Sequence, residues 1–260
     1  MAHELIRLDI ADNVATITLN RPDRLNAAPP QMFNEMNAAI TTFPDLGVRA
    51  LMITGEGRAF CSGADIVGGG EEAMRRGPGM ALEESYNPVM RTLAALPIPI
   101  VAAVNGAAAG IGCSLALTAD FVIAARSAYF LQAFVNLGLV PDGGATWLLP
   151  RLVGKARAAE MMMLGERISA EKAESWGLIH RAVDDNVLMA EARALVVRLA
   201  NGPSVALGLT RIGMWRALEQ THAQALSAEA HAQVVASKTA DAREGLMAFH
   251  EKRPPRFEGR

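Results

Sequence analysis

The feature that most narrows the fold of this chain is a change of rhythm near Gly143. Before it, strand-like and helix-like segments alternate. Glu4–Ile10 and Val14–Leu19 predict a hairpin around Ala11-Asp12-Asn13, and Arg21-Pro22-Asp23-Arg24 then breaks the second strand. Gln31–Phe43 has helical spacing through Met32, Met36, Ala39, Ile40 and Phe43, while Val48–Thr54 returns to strand character. Ile98–Val104, Phe121–Ala125 and Ala128–Leu131 predict further strands, with a helix over Gly110–Thr118 between them. After Gly143 helices follow one another, at Lys155–Leu164, Ala170–Trp176, Leu188–Leu199, Val205–Leu218 and Thr221–Ser237, and only Leu178–Val183 still resembles a strand. This order predicts a layered α/β core over residues 1–200 and a helical region over 201–260 whose apolar faces need the core or another subunit as partner. Gly68–Gly79, rich in glycine and charge, predicts a mobile surface segment bordering a substrate entrance. No fixed-period repeat is visible.

At 260 residues and 51% hydrophobic composition the chain can bury a substantial core. Its 25 Lys and Arg against 27 Asp and Glu leave no basic footprint for nucleic acid, which points to a small-molecule partner. Cys61 and Cys113 stand in apolar or glycine-rich surroundings without a CxxC pair, and no HExxH or close His/Cys cluster offers a metal site, so both read as reduced structural thiols. The N-terminus is charged, and no apolar run reaches the ~18 residues of a membrane span. These features predict a cytoplasmic protein without membrane attachment.

Residues 107–116, AAAGIGCSLA, follow a strand ending at Val104 and open a helix. A phosphate-binding GxGxxG fails because Leu115 stands where the third glycine is needed, and Gly154-Lys155 lacks the first glycine of a P-loop. What remains is a close-packing turn with free N–H groups at a helix start, able to hold an oxyanion. Alone, such a segment reads as a corner that packs a helix against a strand. A second segment of the same kind, RAFCSGADI at 58–66, changes that reading.

Together, Arg58–Ile66 and Ala103–Cys113 resemble the crotonase, or enoyl-CoA hydratase/isomerase, superfamily, and the resemblance runs from RPDRLNA at 21–27 to AFHEKRPPRF at 248–257. It implies a spiral of ββα units, a C-terminal helical trimerisation region, and homotrimers that often pair as hexamers. It also implies an acyl-CoA thioester as substrate, with coenzyme A entering only as part of it and no tightly bound cofactor or metal. By motif position, the thioester oxygen would be held by the backbone N–H groups of Ala64 and Ile111, the latter replacing the usual glycine. Fixed amide donors suit an oxygen that gains charge as an enolate forms.

The resemblance also places the two glutamates of a hydratase at Ser114 and Phe134, neither of which can do a carboxylate's proton transfer. LVPDGGATWLLPRLVG at 139–154 is similar to the isomerases of phenylacetate degradation and to Δ3,Δ2-enoyl-CoA isomerases, and it puts Asp142 where some of them carry their acid/base. One carboxylate can take the α proton and return it at the γ carbon. Pro-Asp-Gly-Gly is also ordinary turn chemistry, with Asp142 as an N-cap. Arg24, Leu25, Ala27, Ser62, Asp65 and Ile66 match regions that surround coenzyme A in relatives, and Phe249 and Lys252 match a C-terminal contact to adenine or phosphate, across a subunit boundary in some.

Ser114 also reads as a hydroxyl bonded to a backbone carbonyl, Asp65 as a helix cap, and Glu56 and Arg58 as solvated loop charges. Met74, Met80, Tyr86, Met90, Phe134 and Trp147 are candidates to line an acyl pocket, though core packing explains such residues equally. His180, His222 and His231 form no catalytic dyad. The expected activity is enoyl-CoA isomerisation with Asp142 as acid/base. The alternatives are hydratase-like activity, thioester hydrolysis or dehalogenation with Asp142 as nucleophile, or a silent acyl-CoA-binding protein.

Overall fold

The computed structural model describes residues 3–66 and 77–260. Asp12 and Asn13, both with φ near +57° (55° and 59°), form the two-residue turn of a hairpin between β1 (Ile6–Ala11) and β2 (Val14–Leu19). Positive φ at both central residues matches the right-handed twist of the paired strands, and Asp and Asn tolerate it. From β2 the sheet grows by parallel pairing through β3 (Ala50–Gly55), β5 (Ile100–Val104), β7 (Phe121–Ala125) and β10 (Arg181–Val183), in the order β1-β2-β3-β5-β7-β10. β3 and β5 are buried along their whole length, as continuous apolar strands covered on both faces must be.

A second, smaller sheet has the order β4-β6-β8-β9, built from β4 (Ala59–Cys61), β6 (Ala107–Ala109), β8 (Tyr129–Leu131) and β9 (Ile168–Ser169). Each long strand is thus followed by a short one in the other sheet: β3 by β4, β5 by β6, β7 by β8. The units begin at Ala50, Ile100 and Phe121, so unequal connections erase any fixed period in the sequence. Helix α1 (Pro30–Thr41) buries Met32, Phe33, Met36, Ala39 and Ile40, and α2 (Asn87–Ala95) packs on it. Helix α3 (Ile111–Leu117) is buried throughout.

The helix expected at Lys155–Leu164 begins at Ala145: α4 spans Ala145–Ala159, includes Pro150, and kinks at Gly154, whose φ of 77° is not helical. Ile168–Ser169 also forms a strand beyond Gly143, antiparallel to β8, besides the one expected at Leu178–Val183, which is confined to Arg181–Val183. α5 (Ala170–Ser175) follows β9 directly. α6 (Leu188–Ala200) lays Leu188, Ala192, Val196 and Ala200 across β3, β5 and β7, one apolar stripe at four-residue spacing.

The chain ends in α7 (Ser204–Ala217), α8 (His222–Ala236) and α9 (Ala240–Glu251). α8 buries none of its side chains, and Leu226, Val234, Leu246, Met247 and Phe249 are exposed. Among the described residues no helix is long and apolar enough to cross a membrane. Most of the Gly68–Gly79 stretch, with Met74, lies outside the described residues.

Candidate active site

β4, β6 and β8 run parallel as neighbours, so their C-terminal ends deliver three turns to one edge: Ser62-Gly63-Ala64, Gly110-Ile111 and Gln132-Ala133-Phe134. Outside the carboxyl ends of parallel strands is where α/β sheets leave a crevice. A Cβ on Gly110 would stand 3.8 Å from Gly63 Cα and 3.5 Å from Phe134 Cζ, so the three turns touch.

Among the described residues the Ala64 and Ile111 N–H groups have no backbone acceptor, for different reasons. Ala64 forms an isolated parallel bridge with Ala28, in which Ala28 N donates to Gly63 O (2.8 Å) and Asp65 N donates to Ala28 O (3.1 Å). Successive N–H groups of an extended chain alternate sides, so the Ala64 N–H faces away from Ala28. Ile111 is the first residue of α3, where the helix has no acceptor for its N–H. Gly110, at φ 52° and ψ −126°, is bonded through its own N–H to Leu131 O (2.9 Å), which fixes the turn in a conformation open to glycine.

Gly112 serves the packing that the sequence also suggested. A Cβ there would meet Cys61 Cβ at 2.6 Å and Sγ at 2.7 Å, so only glycine lets α3 lie this close to β4. Gly112→Ala is expected to lower stability by about 1–3 kcal/mol through overpacking, read as a fall in thermal midpoint. Both cysteines are buried and free, and burial pushes their thiols up to about 11 for Cys61 and about 12 for Cys113.

Asp142 arrives over the first turn of α3. A Cβ on Gly143 would meet Ile111 Cδ1, and Ser114 Cβ at 2.8 Å. The N-cap expected of Asp142 is not made: Gly144, at φ 83°, occupies the cap of α4, and Asp142 contributes only its backbone oxygen, which accepts from Ala145 N (3.1 Å) and Ser114 Oγ (3.0 Å). Its carboxylate Oδ1 is buried with no hydrogen-bond partner among the described residues, and desolvation raises the carboxyl from 3.8 to about 6. Tyr86, whose hydroxyl donates to Ala28 O (2.8 Å), is pushed up by burial first and by the Asp142 charge second. Ser114 behaves as read from sequence, its hydroxyl spent on the backbone oxygens of Asp142 and Gly110.

The loop 24–27 is gathered against the turn 62–66. Ser62 N donates to Leu25 O (3.0 Å), its Oγ to Arg24 O (3.4 Å), and Leu25 holds φ 53°. Two residues not singled out by sequence make this rim. Asn26 is fully buried and donates from Nδ2 to Glu56 O (3.0 Å) and Ala59 O (2.8 Å), while Arg21 Nη1 reaches Asp65 Oδ2 (2.8 Å) and Ala27 O (2.5 Å). Asp65 is therefore ion-paired across the rim, and Ile66 is exposed beside it. The same loop's RPDRLNA run was the available signal for both. Glu56, read as a solvated loop charge, pairs with Arg7 at 3.2 Å on the surface.

Phe249 and Lys252 are not drawn into this rim by any hydrogen bond or ring contact among the described residues. Phe249 is exposed with its ring only against His250, and Lys252 caps α9 with φ 55°. Of the acyl-pocket candidates, Met90 and Trp147 line a cavity of about 220 Å³ beside Gly143. Phe134 borders the Gly110 turn instead, Tyr86 is committed to Ala28, and Met80 is exposed. A larger groove of about 470 Å³ runs between β1 and α1, at the outer edge of the large sheet and away from these turns.

A family model described as enoyl-CoA hydratase/isomerase matches residues 9–260. The chain is 45% identical over 260 residues to a protein named probable enoyl-CoA hydratase from Rhodobacter capsulatus, covering 100% of both. It is 44% identical to a 1,2-epoxyphenylacetyl-CoA isomerase from Escherichia coli, covering 99% of each. A solved enoyl-CoA hydratase from Bacillus anthracis superposes with a TM-score of 0.91 at 33% identity, over 99% of this chain and 100% of that one. Long and short parallel strands wound into two sheets, with three turns meeting at one edge, are thus accompanied by end-to-end similarity, and the chain belongs to the enoyl-CoA hydratase/isomerase family, the crotonase superfamily, as an acyl-CoA enzyme.

Proposed function

We propose that the protein is an enoyl-CoA isomerase in which Asp142 shuttles a proton while the N–H groups of Ala64 and Ile111 hold the thioester oxygen. The observation that supports this reading is a buried carboxyl, raised to about 6, whose Oδ1 has no hydrogen-bond partner among the described residues and whose neighbour Gly143 packs on the first turn of α3. A base poised near neutrality can both accept and return a proton. Asp142 takes the α proton, the electron pair moves onto the thioester oxygen as a dienolate, and the same carboxyl protonates the γ carbon. One proton leaves and one returns, so no water is consumed.

Hydration needs an acid and a base around an added water, and Ser114 and Phe134 stand at the positions where the resemblance puts those carboxylates. Ser114 is bonded to backbone, and Phe134 has no proton to transfer. The name of the Escherichia coli relative points the same way, toward isomerisation of a thioester. The rim of Arg24, Leu25, Ala27, Ser62, Asp65 and Ile66 would receive coenzyme A. The exposed apolar residues of α8 and α9, with Phe249 and Lys252, suit subunit contacts in a trimer or a pair of trimers.

An Oδ1 without a partner among the described residues also suits a nucleophile attacking an acyl or aryl carbon, and that is the second reading. A panel of 2-enoyl, 3-enoyl and ring-bearing CoA thioesters, followed for double-bond migration, hydration and hydrolysis with deuterium uptake at the α carbon, separates them. Migration with α exchange is expected. An ester trapped on Asp142 establishes the nucleophile instead, and binding without exchange or turnover rejects both.

A further inference from the structure

Ile111, Ser114 and Thr118 stand at i, i+3 and i+7 along α3, on one helical face. The first two meet Gly143, while Thr118 lines the 220 Å³ cavity together with Gly143 and Gly144. At 1.5 Å per residue Thr118 lies roughly 10 Å along the helix from the Ile111 N–H, and the cavity touches both Thr118 and Gly143. On the proposed reading, an acyl group whose carbonyl sat at the two amides, and whose reacting carbons passed Asp142, would run on past Gly143 into that space.

The far wall is aromatic and comes from two regions of the chain. Trp147 on α4 and Trp215 on α7 stack with ring centroids 5.6 Å apart and planes 3° from parallel. α7 cannot slide freely, because Arg211 lies one turn before Trp215 and is buried. Its Nε donates to Asp120 Oδ2 (2.8 Å), and its Nη1 donates to Leu96 O (2.7 Å) and Ala94 O (3.1 Å). Asp120 also accepts from Ile100 N (2.8 Å), so the anchor reaches strand β5. Trp147 is further held under the Arg151 guanidinium, 4.2 Å from the ring centroid.

We propose that Trp215 is a specificity-determining residue, which ends the acyl pocket by stacking on Trp147 and so limits the enzyme to compact acyl groups. The inference rests on the acyl-CoA reading of the site. The size is consistent: an apolar cavity of about 150 Å³ can enclose benzene, so about 220 Å³ takes a ring or a short chain and little more. Arg211 acts through Trp215 as a positioning residue.

The test measures binding of saturated, unreactive acyl-CoA thioesters of increasing chain length to the full-length wild type, Trp215→Ala and Trp215→Phe. The wild type is expected to gain affinity up to a limiting length and no further. Trp215→Ala should move that limit to longer chains and improve the longest relative to the shortest by roughly tenfold, the scale on which a pocket discriminates methylene groups. Trp215→Phe, which keeps a stacked ring, should retain the wild-type limit.

The same length profile in Trp215→Ala and wild type overturns the proposal, as does an equal loss at every length. Should Trp215→Ala not fold, indole emission of the wild type serves. A change that sets in only with acyl groups long enough to reach the pair supports the inference, and no change along the series overturns it. Because these ligands do not react, a length limit without turnover of any enoyl thioester would reject the isomerase reading alone. Turnover with no length limit would reject this inference alone.

Discussion

Asp142→Asn is expected to lower isomerase turnover by about 10²–10⁴, the usual contribution of a positioned acid/base, while leaving the protein more stable than wild type at neutral pH. The two effects have one cause. The Asp142 carboxyl is raised from 3.8 to about 6 because burial disfavours its charge, and among the described residues Oδ1 has no partner. A folded-state value above the unfolded one means that the folded protein holds the proton more tightly. Its stability contribution is intact below about pH 4 and is lost as pH rises to about 6. Two units correspond to an upper bound of about 3 kcal/mol at neutral pH. An amide in place of the carboxylate removes the charge but leaves polar atoms unpaired, so a net gain of about 1–2 kcal/mol is expected.

Thermal denaturation of the two proteins across pH checks the sign: the gap should open between about pH 4 and pH 6 and stay constant above. Wild-type turnover should climb over the same range, because only the ionised carboxylate accepts the α proton. A structural aspartate predicts the opposite pattern, with Asp142→Asn less stable and turnover little changed. That outcome would remove Asp142 from the chemistry.

The reason sequence could not decide between these roles is visible in the turn itself. Pro141-Asp142-Gly143-Gly144 is equally good as a capped helix start and as a catalytic loop. Two glycines at positive φ, 58° and 83°, shift the cap to Gly144, so the buried Asp142 carboxyl is not used as a cap. α1, α3 and α6 were legible because each has apolar residues at helical spacing or a glycine start followed by small apolar residues. β4 and β6 were not, since Ala59–Cys61 and Ala107–Ala109 are three residues each, too short to show a period, and pair only because two layers bring them together. The first half of α4 was obscured by Pro150 and Gly154, which act as breakers in most helices. α2 was hidden by Pro88 and Pro97 near its ends, and α9 by the polar run ADAREG. Arg21 and Asn26 escaped notice because their distant partners, the Asp65 carboxylate for Arg21 and the Glu56 and Ala59 backbone oxygens for Asn26, follow no local pattern.

Replacing Ile111 with proline should cost about 10²–10³ in kcat, the loss seen when one oxyanion donor is deleted. The position makes this a clean deletion. Ile111 opens α3, where a proline needs no hydrogen bond and its fixed φ suits the helix. Gly110, at φ 52° and ψ −126°, sits in the mirror image of the extended region that a residue before proline requires, which glycine alone occupies readily. The side chain is buried against Gly143, so its loss adds a packing cost of about 1–2 kcal/mol, and assays belong well below the melting transition.

Ile111→Val supplies the control, since it keeps the N–H and most of the volume and should stay within a fewfold of wild type. Saturated acyl-CoA thioesters, which develop no charge on oxygen, should bind Ile111→Pro only severalfold more weakly than wild type. A kcat loss without a matching binding loss is what a donor aimed at the enolate predicts, because only interactions that strengthen in the transition state raise turnover. Equal kcat for the proline and valine variants would mean that the Ile111 amide never meets the thioester oxygen. The free N–H at the start of α3 would then be a consequence of packing around Gly112 and no part of catalysis.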